Sequence, residues 1–158
     1  MRSFVGITID TRGRVWVTED TTLVILKGHL LIEAELIDIC GRLLKTPDAL
    51  EAGRVSFSMR LNLVRALVGE DAMPESFWHA MKDLNKIRND LAHQLEPEGI
   101  DKALHEFFRR FDGIEDCRLV LRDEKSIPER LISCLLFLSG ALSGIGKADD
   151  EHTDEADQ

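Results

Sequence analysis

The sequence predicts an all-α fold, a bundle of four to five helices carrying a short N-terminal β-hairpin, and three observations support that prediction. Apolar residues recur at three- and four-residue spacing through most of residues 20–146. Capping residues, prolines and glycines stand where those periodic runs begin and end. Strand-type composition is concentrated in the first nineteen residues. At 158 residues, 44% of them hydrophobic, the chain is long enough to bury a core of its own as one domain. The expected organisation is a β appendage over 1–19, a helical domain over 20–146 and a disordered acidic tail over 147–158.

In the appendage, Phe4 to Ile9 and Arg14 to Thr18 are β-rich, and Asp10-Thr11-Arg12-Gly13 supplies a turn between them. Asp20, Thr21 or Thr22 can then cap a long helix to about Lys45, in which Leu23, Leu26, Leu30, Ala34, Ile37 and Leu44 recur at helical spacing. Thr46-Pro47 ends it. A second helix is expected over 56–68, with Phe57, Leu61, Val64 and Val68 on one face and Arg54, Arg60 and Arg65 around it. Gly69 and Met73-Pro74 separate it from a third helix, from Glu75 to about Gln94, which Pro97 and Gly99 close. A fourth, Asp101 to Phe111, carries Leu104, Phe107, Phe108 and Phe111 as an aromatic stripe with the spacing of a packed helix rather than a base-stacking platform. Ile114 to Leu121 suits a strand or a frayed helix. Ser126 and Glu129 have capping-box spacing with Pro128 in the first turn, opening a last helix through Ile145. That helix is apolar nearly all round but short and interrupted by serines and glycines, which suits a buried helix or an oligomer interface better than a membrane span. Gly140 and Gly144, four apart, could admit a close neighbour.

The net charge of −9 is uneven: the segment from Lys147 to Gln158 carries −5, leaving −4 over the first 146 residues. A mildly acidic body argues against coating duplex DNA, which requires many cations. It leaves room for a local basic site. Cys40, Cys117 and Cys134 are scattered, without Cys-x-x-Cys or metal-ligand spacing, and read as small buried hydrophobes of a reducing compartment. Cytoplasmic location, no membrane association, no metal and no cofactor are the expectations; His79 and His105 read as solvated helix-face residues and His29 as a surface partner of Glu33.

Chemistry concentrates in Leu84-Asn-Lys-Ile-Arg-Asn-Asp-Leu-Ala-His93. On a helical wheel Phe77, Trp78, Ala80, Met81, Leu84, Leu91, Ala92 and Leu95 occupy an arc of roughly 160°. Asn85 and Arg88 fall inside that arc, and Asn89 and His93 line its edge. A guanidinium among core residues is costly unless it is partnered or faces a cleft. Arg88 offers a rigid fork of donors suited to phosphate. His93 can exchange a proton near neutrality, and Asn85 and Asn89 can orient either group. Arginine, histidine and amides without acidic metal ligands suit phosphodiester cleavage in which one group activates a ribose 2′-hydroxyl and another stabilises the phosphorane. Arg88 and His93 are five residues apart, about 140° around an ideal helix, so they converge on one ligand only in a groove.

The Arg-x4-His spacing alone is a weak signal, but Arg88-Asn-Asp-Leu-Ala-His93 resembles the signature of the HEPN superfamily. The longer decapeptide is similar to its mannitol-operon repressor-like branch, as is Ser56 to Gly69; the likeness covers roughly residues 20 to 145. The resemblance implies a helical bundle, usually dimeric, with paired motifs at the interface. Many such proteins are metal-independent ribonucleases acting as toxins or defence effectors; others are non-catalytic. By position Arg88 and His93 take the catalytic roles and Asn89, with Asn85, the supporting ones. The expected partners are a second copy, RNA, and a protein partner or antitoxin, with the third helix at or beside the dimer interface. The alternative is a regulator acting through protein contacts, since no helix-turn-helix pattern is evident. A purely structural reading also stands: Arg88 paired with Glu33, Glu35 or Asp38 of the first helix, and His93 acting as a C-terminal cap.

Overall fold

The computed structural model describes residues 20–50, 53–93, 99–112, 114 and 126–145, and the backbone alone of 7–9, 15–17 and 51. Outside the N-terminal strands the described residues are 82% helical, the all-α class. The helices are α1 (Thr21–Leu43), α2 (Asp48–Glu51), α3 (Phe57–Val68), α4 (Glu75–His93), α5 (Ile100–Arg109) and α6 (Ile127–Gly144), with a 3₁₀ turn at Glu70–Ala72. The backbones of β1 (Ile7–Ile9) and β2 (Val15–Val17) pair antiparallel, Thr8 opposite Trp16. The rest of the expected hairpin, the acidic tail, Cys117 and all of Ile114 to Leu121 but Ile114 lie outside the described residues.

Helix starts follow the capping chemistry. Asp20 accepts a hydrogen bond from the Leu23 N–H at 3.2 Å and Ser56 accepts from Met59 N–H at 3.2 Å. At α6 the Ser126 N–H donates to the Glu129 carboxylate at 2.8 Å, the reciprocal half of the capping box. Gly69, at φ 87°, closes α3 in a conformation that costs a side-chain-bearing residue strain.

α1 is the axis of the bundle: it packs most extensively on α6 and also against α3 and α4, while α5 rests on α4. Its core face is Val24, Ile25, Leu31, Ile32, Leu36, Ile39 and Cys40. This corrects the stripe read from sequence. Leu23, Leu26, Leu30 and Ile37 are all exposed, Leu30 by 63%. α1 carries two apolar faces, and the one with cleaner heptad-like spacing is turned outward. Glycine usage differs from expectation as well. A Cβ on Gly140 or Gly144 would meet nothing within 4 Å, whereas one on Gly28 would overlap Leu135 Cδ1 and Cδ2, so α1 supplies the close approach to α6. Beyond that contact the buried Glu35 carboxylate accepts hydrogen bonds from Ser139 at 3.1 Å and Ser143 at 3.0 Å. A buried carboxylate needs such donors, and these two, one turn apart, set the register of α6 on α1. α6 is long and apolar enough to cross a membrane by length and composition. Here its Leu131, Cys134, Leu135, Leu138 and Leu142 join the core.

The aromatic stripe of α5 is core, as its spacing predicts: Leu104, Phe107, Phe108 and Phe111 are buried, with Phe77 of α4 5.8 Å from Phe111 between ring centroids. Arg110, just after α5, pairs with Asp83 of α4 at 2.8 Å. On the other side, Arg65 of α3 forks onto both oxygens of Glu75 at 3.0 and 2.6 Å and lies over the buried Trp78 ring. Two planar, doubly bonded groups hold a fixed geometry better than a single contact, so α3 is pinned to the first turns of α4. Cys40 and Cys134 are buried, and burial pushes the Cys40 thiol upward despite the neighbouring Arg60 charge.

Gly28→Ala should destabilise the fold by about 1–3 kcal/mol through overpacking, despite alanine's helix preference of about 1 kcal/mol over glycine. Thermal melts would show it; Gly140→Ala, built into open space, should leave the melting temperature unchanged or raised.

Candidate functional site

On α4 the buried face is Phe77, Trp78, Ala80, Met81, Leu84 and Ile87. Ile87 belongs to it although the expected arc leaves it out, and Ala92, placed inside that arc, is exposed. The apolar face therefore turns along the helix, and towards its C-terminus Arg88 and Asn89 come to the edge of the bundle. Asn85, Arg88 and Asn89 are all partly buried; Leu95 lies outside the described residues.

The polar side chains form two groups. Arg88 Nη1 donates to Asn89 Oδ1 at 3.2 Å. Among the described residues no carboxylate pairs with Arg88. The three acids that could have neutralised it from α1 are otherwise placed: Glu35 faces α6, Asp38 pairs with Arg42 at 3.2 Å, and Glu33 acts on His29. A partly buried guanidinium that a neutral amide holds, with no carboxylate among the described residues, keeps its charge available to an anion.

Asn85, one turn before Arg88 and Asn89, does not support Arg88 directly. Its Oδ1 lies 3.0 Å from His29 Nε2, and its Nδ2 donates to Ser58 Oγ at 3.2 Å. With the Asn85 amide so oriented, its oxygen is the acceptor, and neutral His29 carries its proton on Nε2. His29 is buried, 6% exposed, with its ring centroid 4.3 Å from that of Phe57. This corrects the expectation of a surface residue. Burial lowers the His29 pKa from its ordinary 6.5; the Asn85 bond and the Glu33 charge oppose that, and the Arg88 charge adds to it.

His93 is the last residue of α4 and is exposed. No hydrogen bond joins it to Arg88. The structure thus brings together Arg88 with Asn89, and Asn85 with His29 and Ser58, while His93 stands apart at the helix end. His29 and Ser58 are the site residues that sequence reasoning passed over. A signal for His29 was present: it lies four residues after Ile25 and three before Ile32, within the inward stripe of α1.

His79 and His105 sit on helix surfaces, His79 3.5 Å from Glu75 and His105 bonded to the Asp101 carbonyl at 2.7 Å. Among the described residues no group of three or more His, Cys, Asp or Glu side chains is placed to hold a metal ion. A groove of about 360 Å³ runs between α4 and α5, lined by Asp83, Lys86, Asp90, Lys102, Glu106 and Arg110 among others. It mixes both charges on the face of α4 away from Arg88 and contains none of the motif side chains. Comparison with protein-family models, curated proteins and solved structures found no significant match.

A histidine whose folded pKa is depressed binds fewer protons folded than unfolded, so stability is full above pH 6.5 and falls as pH drops from there towards the folded value. Unfolding midpoints in denaturant should therefore decrease from pH 7.5 to pH 5. His29→Gln, which keeps an amide donor for Asn85 without a titrating ring, should show a smaller decrease; an equal one would mean other groups cause it.

Proposed function

We infer that the chain is a HEPN-type endoribonuclease that cleaves single-stranded RNA without a metal ion, at a cleft formed by two copies, in the manner of toxin or defence nucleases. The observation that carries the reading is the partly buried Arg88, which no carboxylate among the described residues neutralises. Its fork suits the two non-bridging oxygens of a phosphodiester, and its charge would stabilise the phosphorane. His93 is the acid–base group: it accepts the ribose 2′-hydroxyl proton as the 2′-oxygen attacks phosphorus. The bond from phosphorus to the 5′-oxygen breaks, water protonates the departing oxygen, and a 2′,3′-cyclic phosphate remains. Asn89 holds the guanidinium.

Pairing answers the divergence of Arg88 and His93 around one helix, because a second copy can present its own motif across the cleft. The exposed face of α1 supports pairing. Leu23, Leu26, Leu30, Ala34 and Ile37 are spaced symmetrically about Leu30, so an antiparallel two-fold contact would set Leu23 against Ile37 and Leu26 against Ala34 of the other copy. An isologous interface needs such self-complementarity. α1 also packs on α4, which keeps the motif helix beside that interface. The second reading is a non-catalytic regulator resembling the mannitol-operon repressor; the same apolar face favours it as a surface for a protein partner.

Light scattering at micromolar concentration should give a dimer, and Leu30→Glu a folded monomer. Purified protein should cleave single-stranded RNA in excess EDTA and leave cyclic phosphate ends. Arg88→Ala and His93→Ala should each reduce cleavage by about two to four orders of magnitude with fold and dimer retained, and Asn89→Ala by less. If wild type cuts nothing and Arg88→Ala folds normally, the regulatory reading holds. If wild type cuts nothing and Arg88→Ala unfolds, Arg88 is structural.

A further inference from the structure

We propose that His29 is a proton-linked positioning residue of the Arg88 site, so that a phosphodiester binds at Arg88 together with uptake of a proton by the His29 imidazole. The proposal rests on the nucleic-acid reading above and adds to it the regulation of that site. His29 is buried and does not reach a ligand itself; it acts through Asn85, whose amide joins it at 3.0 Å and reaches the exposed Ser58 hydroxyl at 3.2 Å. Asn85 shares one face of α4 with Arg88 and Asn89, three and four residues on. A phosphate held by Arg88 is therefore presented beside the amide that His29 holds in place.

Among the described residues the charged groups acting on His29 are Glu33 from its own helix and Arg88 from α4. α3 presents the uncharged Phe57 ring to His29 and the Ser58 hydroxyl to Asn85. In the empty site a proton on His29 would put a second cation near Arg88 inside a desolvated niche, which the positive charge of Arg88 opposes. A phosphate on Arg88 cancels that repulsion, and the imidazolium then forms a charge-assisted bond to Asn85 Oδ1. Proton and anion favour each other, and the coupling is reciprocal: the anion raises the proton affinity of His29, and acidification strengthens anion binding. Arg88 is the permanent cation of this pair and His29 the conditional one.

The test uses a six-nucleotide single-stranded oligodeoxynucleotide, which lacks the 2′-hydroxyl and so is not cleaved, with the full chain. Calorimetry should find it bound about fivefold more tightly at pH 5.5 than at pH 8, and His29→Gln should flatten most of that difference. NMR titration of the histidine rings should show the His29 midpoint moving upward on saturation with the oligonucleotide. It should also move upward in free Arg88→Gln, where the repelling charge is gone. Binding with an unmoved His29 midpoint, or a His29→Gln variant with the wild-type pH dependence, overturns the linkage and leaves the nucleic-acid reading standing. No binding to wild type at either pH overturns both. Should His29→Gln fail to fold, the wild-type and Arg88→Gln titrations still decide.

Discussion

The approach of α6 to α1 at Gly28 is the constraint on which the rest of the structure depends. Leu135 occupies the space a Cβ would fill, and along the same contact Ser139 and Ser143 reach the buried Glu35 carboxylate. The apolar contact sets the distance and the polar contacts set the register. Either alone would be a weaker specification, since apolar helices slide on one another and a buried carboxylate without donors is costly.

With α6 covering one side of α1, the other side is left for α3 and α4, and the candidate site forms along that seam. The Arg65–Glu75 fork holds α3 against the start of α4. Farther along, the seam contains His29, Asn85 and Ser58 in place of aliphatic side chains. A polar chain at that point carries a cost in stability that leucines would not. Its members come from three helices, so its geometry reports the arrangement of the whole seam and not of the motif helix alone.

Engagement of Glu35 by α6 also bears on Arg88. The first helix offers three acids within the same stretch, and each is committed elsewhere: Glu35 to serines, Asp38 to Arg42, Glu33 to the neighbourhood of His29. Among the described residues the cation at the edge of α4 has an amide partner.

The helical class, the helix limits and their caps were legible in the sequence because they are set within a few residues: Asp20, Ser56 and Ser126 bond to backbone or side chains three positions on, and Leu104, Phe107, Phe108 and Phe111 share a face by periodicity alone. The motif side chains Asn85, Arg88 and Asn89 were legible for the same reason, as polar residues inside an apolar arc or on its edge. Tertiary structure decided what periodicity leaves degenerate. α1 has two apolar stripes of similar quality, and only the positions of α3, α4 and α6 determine that Leu23, Leu26, Leu30 and Ile37 face outward while Ile25, His29 and Ile32 face in. Gly28, Gly140 and Gly144 are alike in sequence, and only packing places the Leu135 side chain where a Cβ on the first would lie. His29 joined the site for the same reason: its partners Phe57 and Asn85 lie 28 and 56 residues away, and contacts at that separation depend on how helices dock, which short-range patterns do not encode.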